Sequence, residues 1–159
     1  MKNLKRILLV VPLALCCMLL VGCSSKTETG DLTIAKSLAK QFQESIQDNS
    51  LEDTMKKVSD KVSEELNVEV AKLVDGEDYI AGFTTEIKGF KDGYVIRPMI
   101  GSIPFVAYAF EVEDATSFEK TLKEKADLRW NICTEADSIE TTISDNYVFV
   151  VMSPDSFED

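Results

Sequence analysis

The sequence predicts an α+β domain in which N-terminal helices precede a three- to four-stranded, mainly antiparallel sheet with one inserted helix. Three observations carry this. Apolar residues recur every three or four positions after residue 31, and they alternate at every second position further along the chain. A helical period then returns once, after Asp114, between two alternating stretches. The helical part covers about 31–83 and the sheet part about 86–153, within a single domain over 31–159.

From Asp31, Leu32, Ala35, Ala39, Phe42 and Ile46 form one apolar stripe beside Lys36, Lys40, Gln43 and Glu44. Asn49-Ser50 interrupts it, and Ser50 with Asp53 has the spacing of a capping box. A second helix carries Leu51, Met55, Val58, Val62 and Leu66 on one face. Val68 to Phe83 fits two descriptions: Val68 and Val70 alternate as in a strand, while Val70, Leu73 and Val74 fit a helical face. Asp75-Gly76 breaks it, and Tyr79, Ile80 and Phe83 have the spacing of a short helical turn.

Tyr94 to Arg97 reads as a strand that Pro98 ends or places at an edge. Gly101 and Pro104 punctuate a connection. In the next strand Val106, Tyr108, Phe110 and Val112 share a face, with Glu111 and Glu113 on the other. Thr116 and Glu119 have capping-box spacing before a stripe of Phe118, Leu122 and Ala126. Ser138 to Ile143, the turn Ser144-Asp145-Asn146, and Tyr147 to Met152 form a hairpin whose last strand is apolar on both faces and therefore central.

Residues 1–22 differ from the rest. They contain Lys2, Lys5 and Arg6, no acid, and an apolar run from Ile7 to Val21, the n- and h-regions of an export signal. The 16 residues from Ile7 to Gly22 fall short of the roughly 20 needed to span a bilayer. The run ends Leu20-Val21-Gly22-Cys23 before the polar Ser24-Ser25-Lys26. This resembles the bacterial lipobox, which implies cleavage after Gly22 and a diacylglyceryl thioether on Cys23. An ordinary signal peptide and an uncleaved anchor are the alternatives. Residues 23–30 would then be a short polar tether holding the domain at the extracytoplasmic face of the cell membrane.

A second resemblance rests on Arg97-Pro98-Met99-Ile100-Gly101, Ile103-Pro104-Phe105, the stretch from Leu128 to Asp137 ("LRWNICTEAD"), and Val148 to Met152. With the lipobox, these look like a family of small lipoproteins of Gram-positive bacteria that carry a compact domain of unknown function. The resemblance implies a surface-anchored domain and brings no catalytic residue with it.

The chain holds 17 basic and 28 acidic residues. Loss of the three basic residues before Cys23 leaves 14 against 28, a formal charge of −14. Nucleic acid is an improbable partner for such a surface, and anionic headgroups would repel it. Of the four cysteines, the lipobox resemblance implies that Cys16 and Cys17 leave with the signal and that Cys23 is acylated. Only Cys133 remains, so no intramolecular disulfide is expected.

The absence of histidine removes histidine-activated nucleophiles and the commonest transition-metal ligand. One remaining thiol cannot build a thiolate zinc site. Cys133 would need a base or a cationic neighbour to act as a nucleophile, and a packed, inert thiol is the expectation. Ser37-Leu38-Ala39-Lys40 and Ser144-Asp145-Asn146 match two motifs of penicillin-recognising enzymes, but no K-T-G follows and Ser117 to Lys120 repeats the first match by chance. Asp75-Gly76-Glu77-Asp78 lacks the spacing of a calcium loop. Glu111 and Glu113 are expected on a solvated face.

The distinctive local chemistry is Arg129-Trp130-Asn131, since Arg97 and Arg129 are the only arginines after the signal. Arginine and tryptophan dominate binding hot spots, so Arg97, Arg129 and Trp130 are the candidate binding residues. The plainer reading has Trp130 capping the core and Arg129 pairing with a local acid. No catalytic, cofactor or metal-binding residue is expected. The functional expectation is a non-enzymatic, lipid-anchored domain that binds a protein or peptide in the cell envelope. The alternative is a small-ligand receptor or a transport accessory lipoprotein.

Overall fold

The computed structural model describes residues 32–157. The signal-like segment 1–22, Cys23 and the tether 23–30 lie outside the described residues. The elements run α1 (Ile34–Ile46), α2 (Leu51–Ser59), β1 (Val68–Leu73), β2 (Asp92–Pro98), β3 (Val106–Glu111), α3 (Ala115–Lys125), β4 (Ser138–Ser144) and β5 (Tyr147–Ser153). The class is α+β and the sheet is antiparallel throughout, in the order β1-β2-β3-β5-β4.

The sheet has five strands, not three or four. The additional strand is β1, which falls inside the stretch assigned to the helical part, so the sheet begins at Val68 rather than at about 86. Val68 pairs with Pro98 and Leu73 with Gly93. As an edge strand β1 buries only part of each face, which weakens the alternation that marks interior strands. Tyr79 to Phe83 is irregular chain with a turn at Ala81-Gly82 rather than a helical turn, and Phe83 forms an isolated bridge with Ala126. The chain crosses β5 there at Gly82, whose φ of 87° is left-handed and where a Cβ would run into the Met152 side chain.

The helix ends also move. Thr33 caps α1 by accepting a hydrogen bond from the Lys36 N–H, which leaves Leu32 outside the helix and exposed. Ser50 caps α2 as its spacing indicates, accepting from the Asp53 N–H at 3.1 Å. That helix stops at Ser59, while Val62 and Leu66 are buried from turns beyond it. α3 is capped by Asp114, whose Oδ1 accepts from the Ser117 N–H at 3.0 Å, rather than by Thr116. The hairpin closes through Asp145-Asn146, with Ser144 opposite Tyr147. Asp145 takes a φ of 52°, a conformation that aspartate tolerates better than most residues.

Period-two alternation gives the sheet two apolar faces. Tyr94, Ile96, Ala107, Ala109, Phe149 and Val151 pack under α1 and α2 through Leu38, Phe42, Met55 and Val58. Phe42 stacks on Phe149 with ring centroids 4.8 Å apart. Val95, Val106, Tyr108, Phe110, Val148, Val150 and Met152 face the other way, under Phe118 and Leu122 of α3 and under Ile80, Phe83, Ile87 and Phe90. β5 is apolar on both sides because it is paired by β3 and β4 and covered on each face. Glu119 joins α3 to β4 by accepting from the Thr141 hydroxyl at 2.5 Å, and this bond with nearby Lys123 holds its carboxyl below the ordinary glutamate range.

α1 packs on β4 and β5 and α2 on β1 and β2, whereas α3 packs on β4 and β5 and meets β3 through Phe118 against Phe110. The β1–β2 side of the second face is therefore left to irregular chain. Among the described residues no helix is long and apolar enough to cross a membrane.

Candidate functional site

On that side, covered by irregular chain rather than a helix, lies an open cavity of about 500 Å³. Its floor is sheet: Leu73 of β1, Val95 and Arg97 of β2, and Val106 and Tyr108 of β3. One wall is Tyr79 and Ala81, and the other is the run Trp130-Asn131-Ile132-Cys133. Ile103 and Phe105, from the connection between β2 and β3, close one end.

Hydrogen bonds brace the walls. The Tyr108 hydroxyl donates to the Ala81 carbonyl at 3.0 Å, and burial pushes that phenol far above its ordinary range, so it remains a neutral donor. The Gly82 carbonyl accepts from the Asp127 N–H at 2.8 Å, linking the two walls beyond the cavity. Asn131 Nδ2 donates to the Gly101 carbonyl at 3.1 Å, and the Thr134 hydroxyl donates to the Ser102 carbonyl at 3.2 Å. Irregular chain is thus pinned at the positions that shape the groove.

The three candidate residues separate. Arg97 and Trp130 line the same groove, although 33 positions apart in sequence. Arg97 reaches the floor because it shares a face with Val95, and its Nε donates to Glu69 Oε1 at 2.6 Å across the β1–β2 pair. Trp130 is half-buried against the second core. Arg129 is turned away into a shallower depression, where its Nε donates to Glu135 Oε2 at 2.7 Å and that carboxylate raises its pKa further. Cys133 is exposed and free, which corrects the expectation of a packed thiol. It follows Ile132 on a loop rather than a strand, so no face of the sheet can take it in.

Sequence reasoning missed Tyr79 and Ile132. Tyr79 is 84% exposed and Ile132 99%, which for large apolar side chains at the rim of an apolar groove is unusual. Met99 at 62% and Ile100 at 74% extend the exposed apolar surface on the adjoining connection. The available signal was an apolar pair between Pro98 and Gly101, where turn chemistry favours polar residues.

The other carboxylate candidates serve the fold. Glu111 accepts from Asn146 Nδ2, Glu113 lies 3.5 Å from Lys91, Asp75 accepts from the Gly89 N–H, and Asp78 accepts from the Val74 N–H. Among the described residues no three potential metal ligands cluster.

Comparison of the chain with family models, curated proteins and solved structures finds no match.

Proposed function

We propose that the protein is a lipid-anchored, extracytoplasmic, non-enzymatic domain that binds a partner protein of the cell envelope through an extended peptide segment. The observation that carries this is the apolar groove beside β1. β1 is a sheet edge, bonded along one side to β2. An extended segment can pair with such an edge and place alternate side chains in the neighbouring groove, so that main-chain bonds give affinity and pockets give specificity. Trp130 supplies a braced aromatic wall. Arg97 offers terminal guanidinium nitrogens beyond the Nε bond to Glu69, suited to a carbonyl or carboxylate of the segment.

The cavity volume also suits a small molecule, since ligand pockets run from about 300 to 1,000 Å³. Two features favour the peptide. The cavity is open to solvent rather than enclosed, and its inward-facing polar groups are few, with the Asn131 amide already donating to Gly101.

A photo-crosslinking amino acid in place of Tyr79, activated in cells, separates the two readings. We expect one discrete protein adduct from the membrane fraction, reduced at least about tenfold by Trp130→Ala, the loss typical of a hot-spot aromatic. No adduct, together with a small molecule co-purifying with the wild-type chain, would reject the peptide reading.

A further inference from the structure

We infer that the end of the sheet where β2 leaves and β3 enters rests on the bilayer, with Met99, Ile100 and Ile132 in the headgroup boundary. This rests on the reading of Cys23 as the lipidated residue.

β1 starts, β2 ends, β3 starts, β4 starts and β5 ends at this one end of the sheet. The described chain enters there as well. The Ile34 N–H donates to the Asp155 carbonyl just past β5, and Phe157 packs edge-on against Phe105 at 6.0 Å. Leu32, 60% exposed, therefore lies at the same end as the exposed Met99 and Ile100. Asn131 and Thr134 are bonded to Gly101 and Ser102, which brings Ile132 beside them. Among the described residues, four of the six strongly exposed large apolar side chains thus gather at the end where the described chain begins.

Length supplies the occupant. Nine residue steps separate Cys23 from Leu32, so fully extended they reach about 30 Å at most. A domain on so short a leash meets the bilayer continuously, and its effective concentration there makes weak contacts sufficient. Side chains entering the headgroup boundary need go only about 5–10 Å deep.

Charge decides the character of the contact. Glu65 and Lys61 lie beside Leu32 and Phe157, Asp137 and Asp155 lie at the end of β5, and Arg129 is paired with Glu135. The contact is apolar rather than electrostatic. It should form on neutral phosphatidylcholine, survive raised salt, and weaken at low salt when anionic lipid is added.

Cys133 is a built-in reporter, one residue from Ile132 and exposed. The full-length protein, purified from membranes in its lipidated form, would be labelled on Cys133 with an environment-sensitive fluorophore and reconstituted in phosphatidylcholine vesicles carrying nitroxide lipids. Mass spectrometry of the N-terminal peptide reads Cys23 acylation separately. We expect strong quenching by headgroup-level nitroxides, little change at high salt, and a drop of at least about threefold in the double variant Met99→Glu, Ile100→Glu. Both positions are exposed, so an unchanged thermal midpoint checks that the variant is folded. Acylated protein whose probe is quenched by aqueous iodide but not by lipid nitroxides would overturn the contact and leave the anchor standing. Protein without acyl chains on Cys23 would overturn both.

Discussion

Replacing Phe149 by alanine is expected to cost about 3–5 kcal/mol of folding stability, the range for deleting a fully buried aromatic ring. Phe149 has no exposed surface, stacks on Phe42, and sits in the strand paired on both sides, opposite Ala109 on β3 and Thr142 on β4. Neighbours on β3 and β5 are held by ladder bonds and cannot move into the space, so the cavity term adds to the lost transfer energy. Natural domains have only about 5–15 kcal/mol in total, so the variant should be marginal. Urea titration should show the midpoint falling with an unchanged slope. A shift below about 1 kcal/mol would mean that α1 does not pack on this face as described, because losses of about 0.5 kcal/mol or less are those of a surface position.

The second large effect concerns Cys23. On the proposed anchoring, Cys23→Ser abolishes incorporation of labelled fatty acid and leaves the precursor uncut between Gly22 and Cys23. Two acyl chains hold a protein stably where one is marginal, at about 0.8 kcal/mol per buried methylene, so the effect is all or none. Fractionation alone is a poor readout, since an uncut precursor keeps its apolar segment from Ile7 to Val21. Intact mass together with the fatty-acid label decides it. Persistent label on the serine variant would contradict the lipobox reading.

Much of the fold was legible in the residues, for identifiable reasons. Ala35, Ala39, Phe42 and Ile46 mark α1 because each faces the sheet, and Tyr147 to Met152 marks β5 because both its faces are covered. β1 was not legible, since "VEVAKL" lies at an edge where a mixed surface satisfies either period. The end of α2 was hidden for the opposite reason. Val62 and Leu66 continue the apolar rhythm from turns, and no glycine or proline marks the break. The groove was legible only in part. Arg97 and Trp130 stood out by residue type, but what unites them is the pairing of β2 with its neighbours and two side-chain bonds from the 127–137 connection. The same connection sends Arg129 to Glu135, a divergence that adjacency in sequence concealed.

The proposal joins these parts: an anchor that fixes the address, a sheet that leaves one edge unpaired and one side of a face covered only by irregular chain, and an apolar groove beside that edge. The most direct test is hydrogen exchange of the lipidated protein in native membranes, compared with the same protein purified away from its neighbours. The proposal predicts that amides of β1, of residues 79–82 and of residues 130–133 exchange more slowly in the membranes, while α3 and the β4–β5 hairpin exchange alike in both. Equal exchange along β1 and both groove walls in the two samples would contradict it.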